Sequence, residues 1–430
     1  MQRAGGLFAG LFLIGVMVAS GPAWAAKPVC GDNTGHKATG KPIPIGSVTS
    51  MTGLGSFKEG SDAVGAYFQC VNDNGGIHGR PIVFYAEDDE SKLAVAAQAA
   101  KKLVDDDGVY ALIGSTSFIE CVANAEYYAK ENVLDIGAGV APQCFQSKNI
   151  AEVNAGPRQA AIGAVDYARR KLGTKSIACV IVKYPGSNYV CEGVEQWGKK
   201  FGVKVVSIYA DPVSPDYASL ALQILATGDD GMQLMFVADQ GAQVLNAAQQ
   251  QDGAAKMKWT GSGALYTAPF MHAIDAKYWN NRLWIDSEQA PLDSTGKDNE
   301  NWRAMMDVYA PKIVKDVFSQ MGYVAGRIAV KAMMTIKNPD DIDRKTVTAA
   351  IENMAPYATD IFCAPWYWGG ADATVHQANH VTRMFVYRDG RFQSIEGCHP
   401  DADPGLTPIV ALEKTLGINK KYDAEYEAEK

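Results

Sequence analysis

The chain has 430 residues, too many for one ordinary hydrophobic core, so two lobes are the default expectation. Apolar residues make up 47% and charged residues 20%, the balance of a soluble globular protein and not of a disordered or fibrous one. A formal net charge of −8 and the lack of a dense Lys/Arg run exclude a basic surface for nucleic acid.

The first 25 residues read as a secretory signal peptide. Arg3 precedes the apolar run LFAGLFLIGVMVA, and Ala23-Trp24-Ala25 supplies a small-x-small cleavage signal. The run is short for a membrane span and no second candidate follows, so export and cleavage near Ala25 are predicted. Cys30 lacks the small and aliphatic residues that precede a lipidated cysteine.

Residues 43–89 set the plan of the rest. An apolar run at 43–48 ends in the turn-prone loop 49–56, and Phe57, Val64, Phe68 and Val71 then recur at helical spacing. GGIHGRP stops that helix, and a second apolar run, 82–86, ends in Glu87, Asp88 and Asp89. This is one βαβ unit, which requires a parallel sheet. Ligands of such sheets sit beyond the carboxyl ends of the strands, which points to the loop 49–56. The acidic cluster is expected to cap the following helix region rather than bind metal, and Ser91 to cap the helix that carries Leu93, Ala96, Ala100, Leu103 and Val104.

The alternation continues. Strands are predicted at 109–113, 133–136 and 149–153, and NAGPRQ marks a crossover. The same grammar then repeats, with strands at 176–183, 203–209, 232–237, near Trp259, and at 282–285. SEQAPLDSTGKD reads as a second polar crossover, helices dominate 300–355, and 381–387 with 391–395 forms a hairpin. The tail from Asp401 is expected on the surface. Eight cysteines in an exported chain suit disulfides. Element positions bring Cys121 near Cys144, Cys179 near Cys191 and Cys363 near Cys398, leaving Cys30 and Cys70; buried free thiols are the alternative.

Several stretches together resemble one family: IGSVTSMTG, VNDNGGIHGRPIVFYAEDD, AAKKLVDDDGVYALIG, LDIGAG, CVIVKYPGSNYVCEGVEQW, MFVADQGAQVLNAAQQ and the hairpin around RDGRF. Their order and spacing are similar to the periplasmic solute-binding proteins of the leucine/isoleucine/valine-binding type, over residues 41 to about 396. The resemblance implies an α/β protein of the type I periplasmic binding fold: two doubly wound, Rossmann-like lobes around a cleft, with three inter-lobe crossings. Lobe 1 is expected at 41–156 plus 288–375, lobe 2 at 157–287 plus 376–398, and a tail at 399–430. It further implies hinge closure on a small molecule, permease subunits of an ABC importer as partners, a monomer, and no cofactor.

The resemblance also suggests which residues meet the ligand. Ser56 and Phe57 match a loop that supplies an aromatic lid, and Ser117 and Phe118 fall where a serine grips a carboxylate. Gly137, Ala138 and Gly139 match a loop whose backbone amides hold the same group. Tyr184 and Tyr189 match the closing loop of the second lobe, with Asp239, Gln240, Ser262 and Phe318 completing the set. Two departures weaken a plain branched-chain amino acid. No carboxylate stands near Gly263 to pair an ammonium, a role that Asp239 would have to assume, and Phe118 aligns where a serine is expected. The aromatics are equally read as cleft walls or as lobe core.

Other signals resolve blandly. His376 and His380 are spaced for a helix, but a solvated loop without metal is expected there, and Trp366, Tyr367 and Trp368 pack beneath a crossover or line the hinge. GxGxxG, GxxxxGK[ST], GxSxG and HExxH are all missing. The expectation is a non-enzymatic periplasmic component of an ABC importer that captures an amino-acid-like or aromatic carboxylate or amide. A periplasmic sensor subunit is the alternative, and a secreted hydrolase the more distant one.

Overall fold

A computed structural model describes residues 1, 27–213, 215–370 and 375–429. The cleavage site expected near Ala25 lies outside the described residues. Five strands, β1 (Ile43–Thr49), β2 (Ile82–Asp88), β3 (Leu112–Ile113), β4 (Asp135–Gly137) and β5 (Ile150–Glu152), form one sheet in the order β2-β1-β3-β4-β5. Every pairing in it is parallel. The second sheet contains β6 (Ser176–Val182), β7 (Lys204–Ala210), β8 (Gly231–Met235), β9 (Lys258–Ser262), β10 (Leu283–Ser287), β11 (Val381–Arg388) and β12 (Arg391–Ser394). Its order is β12-β11-β10-β9-β8-β6-β7, parallel up to β10 and antiparallel through the closing hairpin. The chain passes between the sheets after β5, after β10 and before β11. This is the two-lobed, doubly wound α/β architecture that the alternating pattern predicts.

In each sheet the first strand sits between the second and the third, so the connections leave on opposite faces and open a crevice at that point. The central strands are buried on both faces, as in β6, where every residue after Ser176 is buried, whereas the edge strands β2 and β7 are only partly covered. The helix Lys58–Asp73 follows β1 and buries Val64, Phe68 and Val71, the stripe expected from the sequence. Phe57 stands at its N-cap, outside the helix. The stop is steric: Gly76 has φ +63°, and a Cβ there would lie 2.2 Å from the Arg80 carbonyl oxygen.

That helix packs on Val317–Met333, with Tyr67 and Tyr323 edge to face at 5.4 Å. The two backbones meet at glycines, since a Cβ on Gly322 would lie 2.0 Å from the Gly60 carbonyl oxygen. The close crossing brings the helix starts together and sets Phe57 beside Phe318, ring centroids 4.9 Å apart. Four disulfides join Cys30–Cys70, Cys121–Cys144, Cys179–Cys191 and Cys363–Cys398. Among the described residues no helix is long and apolar enough to cross a membrane.

Several local expectations are corrected. Ser91 does not cap the next helix, whose N-cap is Lys92 without a side-chain bond; its hydroxyl donates to the Thr52 carbonyl. The acidic cluster ties down the loop after β1 instead of capping a helix. Asp88 accepts from the backbone of Met51 and Thr52, and Asp89 accepts from Ser50 and Ser117. The tail packs against the body. β13 (His399–Pro400) pairs with β11, Arg158 grips both oxygens of Asp403 at 2.7 and 2.8 Å, and Leu406, Ile409, Val410 and Tyr426 form a buried cluster. HQANH is buried in that junction. Nδ1 of His380 lies 2.8 Å from Glu413, which also accepts from Tyr367 and Asn419, and His376 packs on Trp368. Trp366, Tyr367 and Trp368 are all core residues.

The core also holds many carboxyls. Burial pushes Asp316 up to about 7 and holds Asp135, Glu152, Asp286 and Asp401 well above the usual range. Unfolded Asp316 ionises near 3.8, so between 3.8 and about 7 the folded chain keeps the extra proton. Its stabilising contribution is therefore full at low pH and is lost as pH rises through that window. Two outcomes follow. The melting temperature is higher at about pH 5.5 than at about pH 8, and Asp316→Asn, which preserves the cap, flattens part of that slope. Gly322→Ala lowers stability by about 1–3 kcal/mol in denaturant titrations, because neither backbone at the crossing can give way cheaply.

Candidate functional site

The carboxyl ends of the two sheets meet around a cavity of about 90 Å³. From the first sheet come Phe57 after β1, Phe118 after β3, and Ala138 and Val140 after β4. From the second come Val182 and Tyr184 at the end of β6, Phe236 and Val237 after β8, and Ser262, Gly263 and Ala264 at the end of β9. The crossovers contribute Asn154 after β5 and Glu288 and Gln289 after β10, while Phe318 and Met321 come from the helix Val317–Met333. Most of these walls are apolar, the usual character of a small-molecule site.

Four rings form a chain across the site. Phe57 lies 4.7 Å from Phe118 and 4.9 Å from Phe318, and Phe118 lies 5.3 Å from Tyr184 of the other sheet. Loops from the two sheets also touch through polar atoms. The Tyr189 hydroxyl donates to the Val140 carbonyl at 3.1 Å, and Nε2 of Gln240 donates to the Leu54 carbonyl at 3.1 Å. The two sides of the cleft are thus in contact above the cavity. A wider hollow of about 640 Å³ adjoins it, and Val237, Gln240 and Phe318 line both.

Of the residues singled out in the sequence, Phe57, Phe118, Ala138, Tyr184, Gln240, Ser262 and Phe318 converge on the cavity. Ser56 and Asp239 line the wider hollow, where Asp239 is exposed and accepts from Gln243 at 3.0 Å. Ser117 is buried behind Phe118, and its hydroxyl donates to Asp89 and accepts the N–H groups of Ile119 and Glu120. Gly137 and Gly139 serve close packing. A Cβ at Gly139 would lie 2.3 Å from Sγ of Cys144, and one at Gly137 would lie 2.5 Å from the Ser115 carbonyl oxygen. Tyr189 is half-buried and acts across the cleft, outside the cavity lining.

Asn154 and Glu288 were hidden in segments that read as crossovers. The cavity that Gly263 lines does hold an acidic residue: it is Glu288, one residue beyond the end of β10. Applying the strand-end rule to β10 as it was applied to β1 would have found it. Burial pushes the Glu288 carboxyl upward, while hydrogen bonds from its own backbone, Gln289 and the Ala155 backbone oppose that shift.

The fold and this inter-sheet cavity define a bilobal binding protein. The chain belongs to the periplasmic binding protein family, whose family model matches residues 42–391. It is similar to solved structures from several organisms. A fatty acid ABC transporter substrate-binding protein from Thermomonospora curvata shares 18% identity, with a TM-score of 0.74 over 87% of this chain and 96% of that one. An ABC transporter solute-binding protein from R. palustris, in complex with 4-hydroxybenzoate, shares 18% with a TM-score of 0.71 over 85% and 100%. The branched-chain amino acid transporter substrate-binding protein LivJ from Streptococcus pneumoniae, in complex with isoleucine, shares 15% with a TM-score of 0.67 over 83% and 99%. None of the curated proteins matches the chain in sequence.

Tyr189→Phe removes a hydrogen bond that joins the two sides of the cleft. The expected effect is about 1 kcal/mol, or a roughly fivefold shift toward the open form, with no loss of fold. Small-angle scattering of the ligand-free protein reads this as a larger radius of gyration.

Proposed function

We propose that the protein is the exported, periplasmic solute-binding component of an ABC importer. It takes up a small, largely apolar organic molecule between its lobes, 41–156 plus 288–375 and 157–287 plus 376–398, and delivers it to permease subunits of the inner membrane. One observation carries the reading: an apolar cavity lies between the carboxyl ends of both parallel sheets, and a ring from each side, Phe118 and Tyr184, meets over it. A ligand seated there touches both sheets at once and so has higher affinity for the closed form. That differential affinity is what lets a permease distinguish loaded from empty protein.

Capture without turnover fits the lining. Among the described residues of the cavity wall there is no histidine or cysteine, and Ser262 therefore has no adjacent imidazole to act as its base. The protein acts as a monomer that needs no cofactor.

A thermal-shift screen over amino acids, amides, amines, alcohols and aromatic acids tests the reading, followed by calorimetric titration of each hit. Saturable binding of one class is expected, with Phe118→Ala weakening it at least about tenfold through loss of a buried ring. Failure of the whole panel to stabilise the protein would contradict capture. For the transport step, ligand-loaded protein is expected to stimulate the ATPase of its reconstituted importer more than empty protein does.

A further inference from the structure

The groups expected to hold a ligand carboxylate are already engaged. The Ser117 hydroxyl donates to Asp89 and accepts from the N–H of Ile119 and of Glu120, at 3.0 and 2.9 Å. The Gly139 N–H donates to Oε2 of Glu152 at 2.5 Å, and the Ala138 N–H donates to the Ser115 carbonyl at 2.7 Å. The Phe118 N–H goes to Oγ of Ser50 at 3.3 Å. No Lys, Arg or His occurs among the cavity's lining residues. An anion buried there would be desolvated without a compensating charge, which is strongly unfavourable.

Two of the remaining polar side chains are acceptors. Nδ2 of Asn154 donates to the Gly139 carbonyl at 3.0 Å, which leaves its Oδ1 buried and without a partner on a residue only 7% exposed. Glu288 is 5% exposed; its Oε1 accepts from Nε2 of Gln289 at 2.6 Å, and its carboxyl also takes hydrogen bonds from its own backbone and that of Ala155. The Gln289 oxygen is taken by the Ser287 hydroxyl, and the Gln240 amide nitrogen by Leu54. The wall thus holds two acceptor side chains from opposite crossovers, and Ser262 lines the same cavity. A buried acceptor left unmade costs free energy that a donor on the ligand would recover.

We propose that the cavity selects molecules carrying a hydrogen-bond donor, an amine or a hydroxyl, on a mostly apolar body, and rejects carboxylates. The proposal rests on the solute-binding reading and narrows it. It separates this chain from fold neighbours whose bound ligands, 4-hydroxybenzoate and isoleucine, bear a carboxylate. An ammonium donor would also hold Glu288 ionised against the upward push of burial.

Three probes with the same ring isolate the effect: benzylamine, benzyl alcohol and benzoate, each titrated calorimetrically into the mature protein. Benzylamine and benzyl alcohol are expected to bind, with benzoate at least about tenfold weaker. Glu288→Gln is expected to weaken benzylamine about tenfold while benzyl alcohol changes by about twofold or less. Asn154→Leu, the second variant should the first not fold, weakens both donors by about fivefold. Benzoate binding as tightly as benzylamine, or Glu288→Gln leaving benzylamine untouched, overturns the proposal. Tight benzoate binding would leave solute capture itself standing. Silence from all three probes and from the wider panel would overturn both.

Discussion

Parallel strands gather their loops at one end, and here two parallel sheets present those ends to each other. Everything chemical about the cleft follows from that constraint. Most of its lining positions come from strand ends or the turns after them, and Asn154 and Glu288 come from the crossovers that join the sheets. The apolar surround is a packing consequence. Phe57 and Phe318 are neighbours because their helices cross backbone to backbone at Gly60 and Gly322, and the loop at Gly139 lies flat on the Cys121–Cys144 disulfide.

The loops themselves are held from behind by carboxylates. Asp88 and Asp89 fasten the turn after β1, Asp89 holds Ser117, and Glu152 holds Gly139. A binding site built this way is rigid at its first-sheet wall and poor in donors, so its selectivity comes from acceptors and shape. Buried acids recur beneath both sheets, and burial raises each of them above the usual carboxylate range.

The alternation of apolar runs, helical stripes and glycine breaks was enough to read the succession of strands along the chain and the two doubly wound lobes. The reason is that parallel strands are apolar throughout and the connecting helices are amphipathic. Local polar detail was less legible. Ser91, Asp88 and Asp89 look like caps in sequence, but the αL backbone at Glu90 and Ser91 turns them back toward the β1 loop. HQANH and the tail look solvated because their polar partners are met only in three dimensions, His380 against Glu413 and Arg158 against Asp403. Glu288 escaped notice because a polar crossover is where a glutamate is least conspicuous, and its burial depends on both sheets closing around it.

A crystal structure of the protein with the ligand it retains from its own periplasm tests the central claim most directly. The account predicts density between Phe118 and Tyr184, with a donor of the ligand within hydrogen-bonding reach of Glu288 or Asn154 and with both sheets in contact with it. Density for a carboxylate held by the loops after β3 and β4, or a ligand seated outside the inter-sheet cavity, would contradict it.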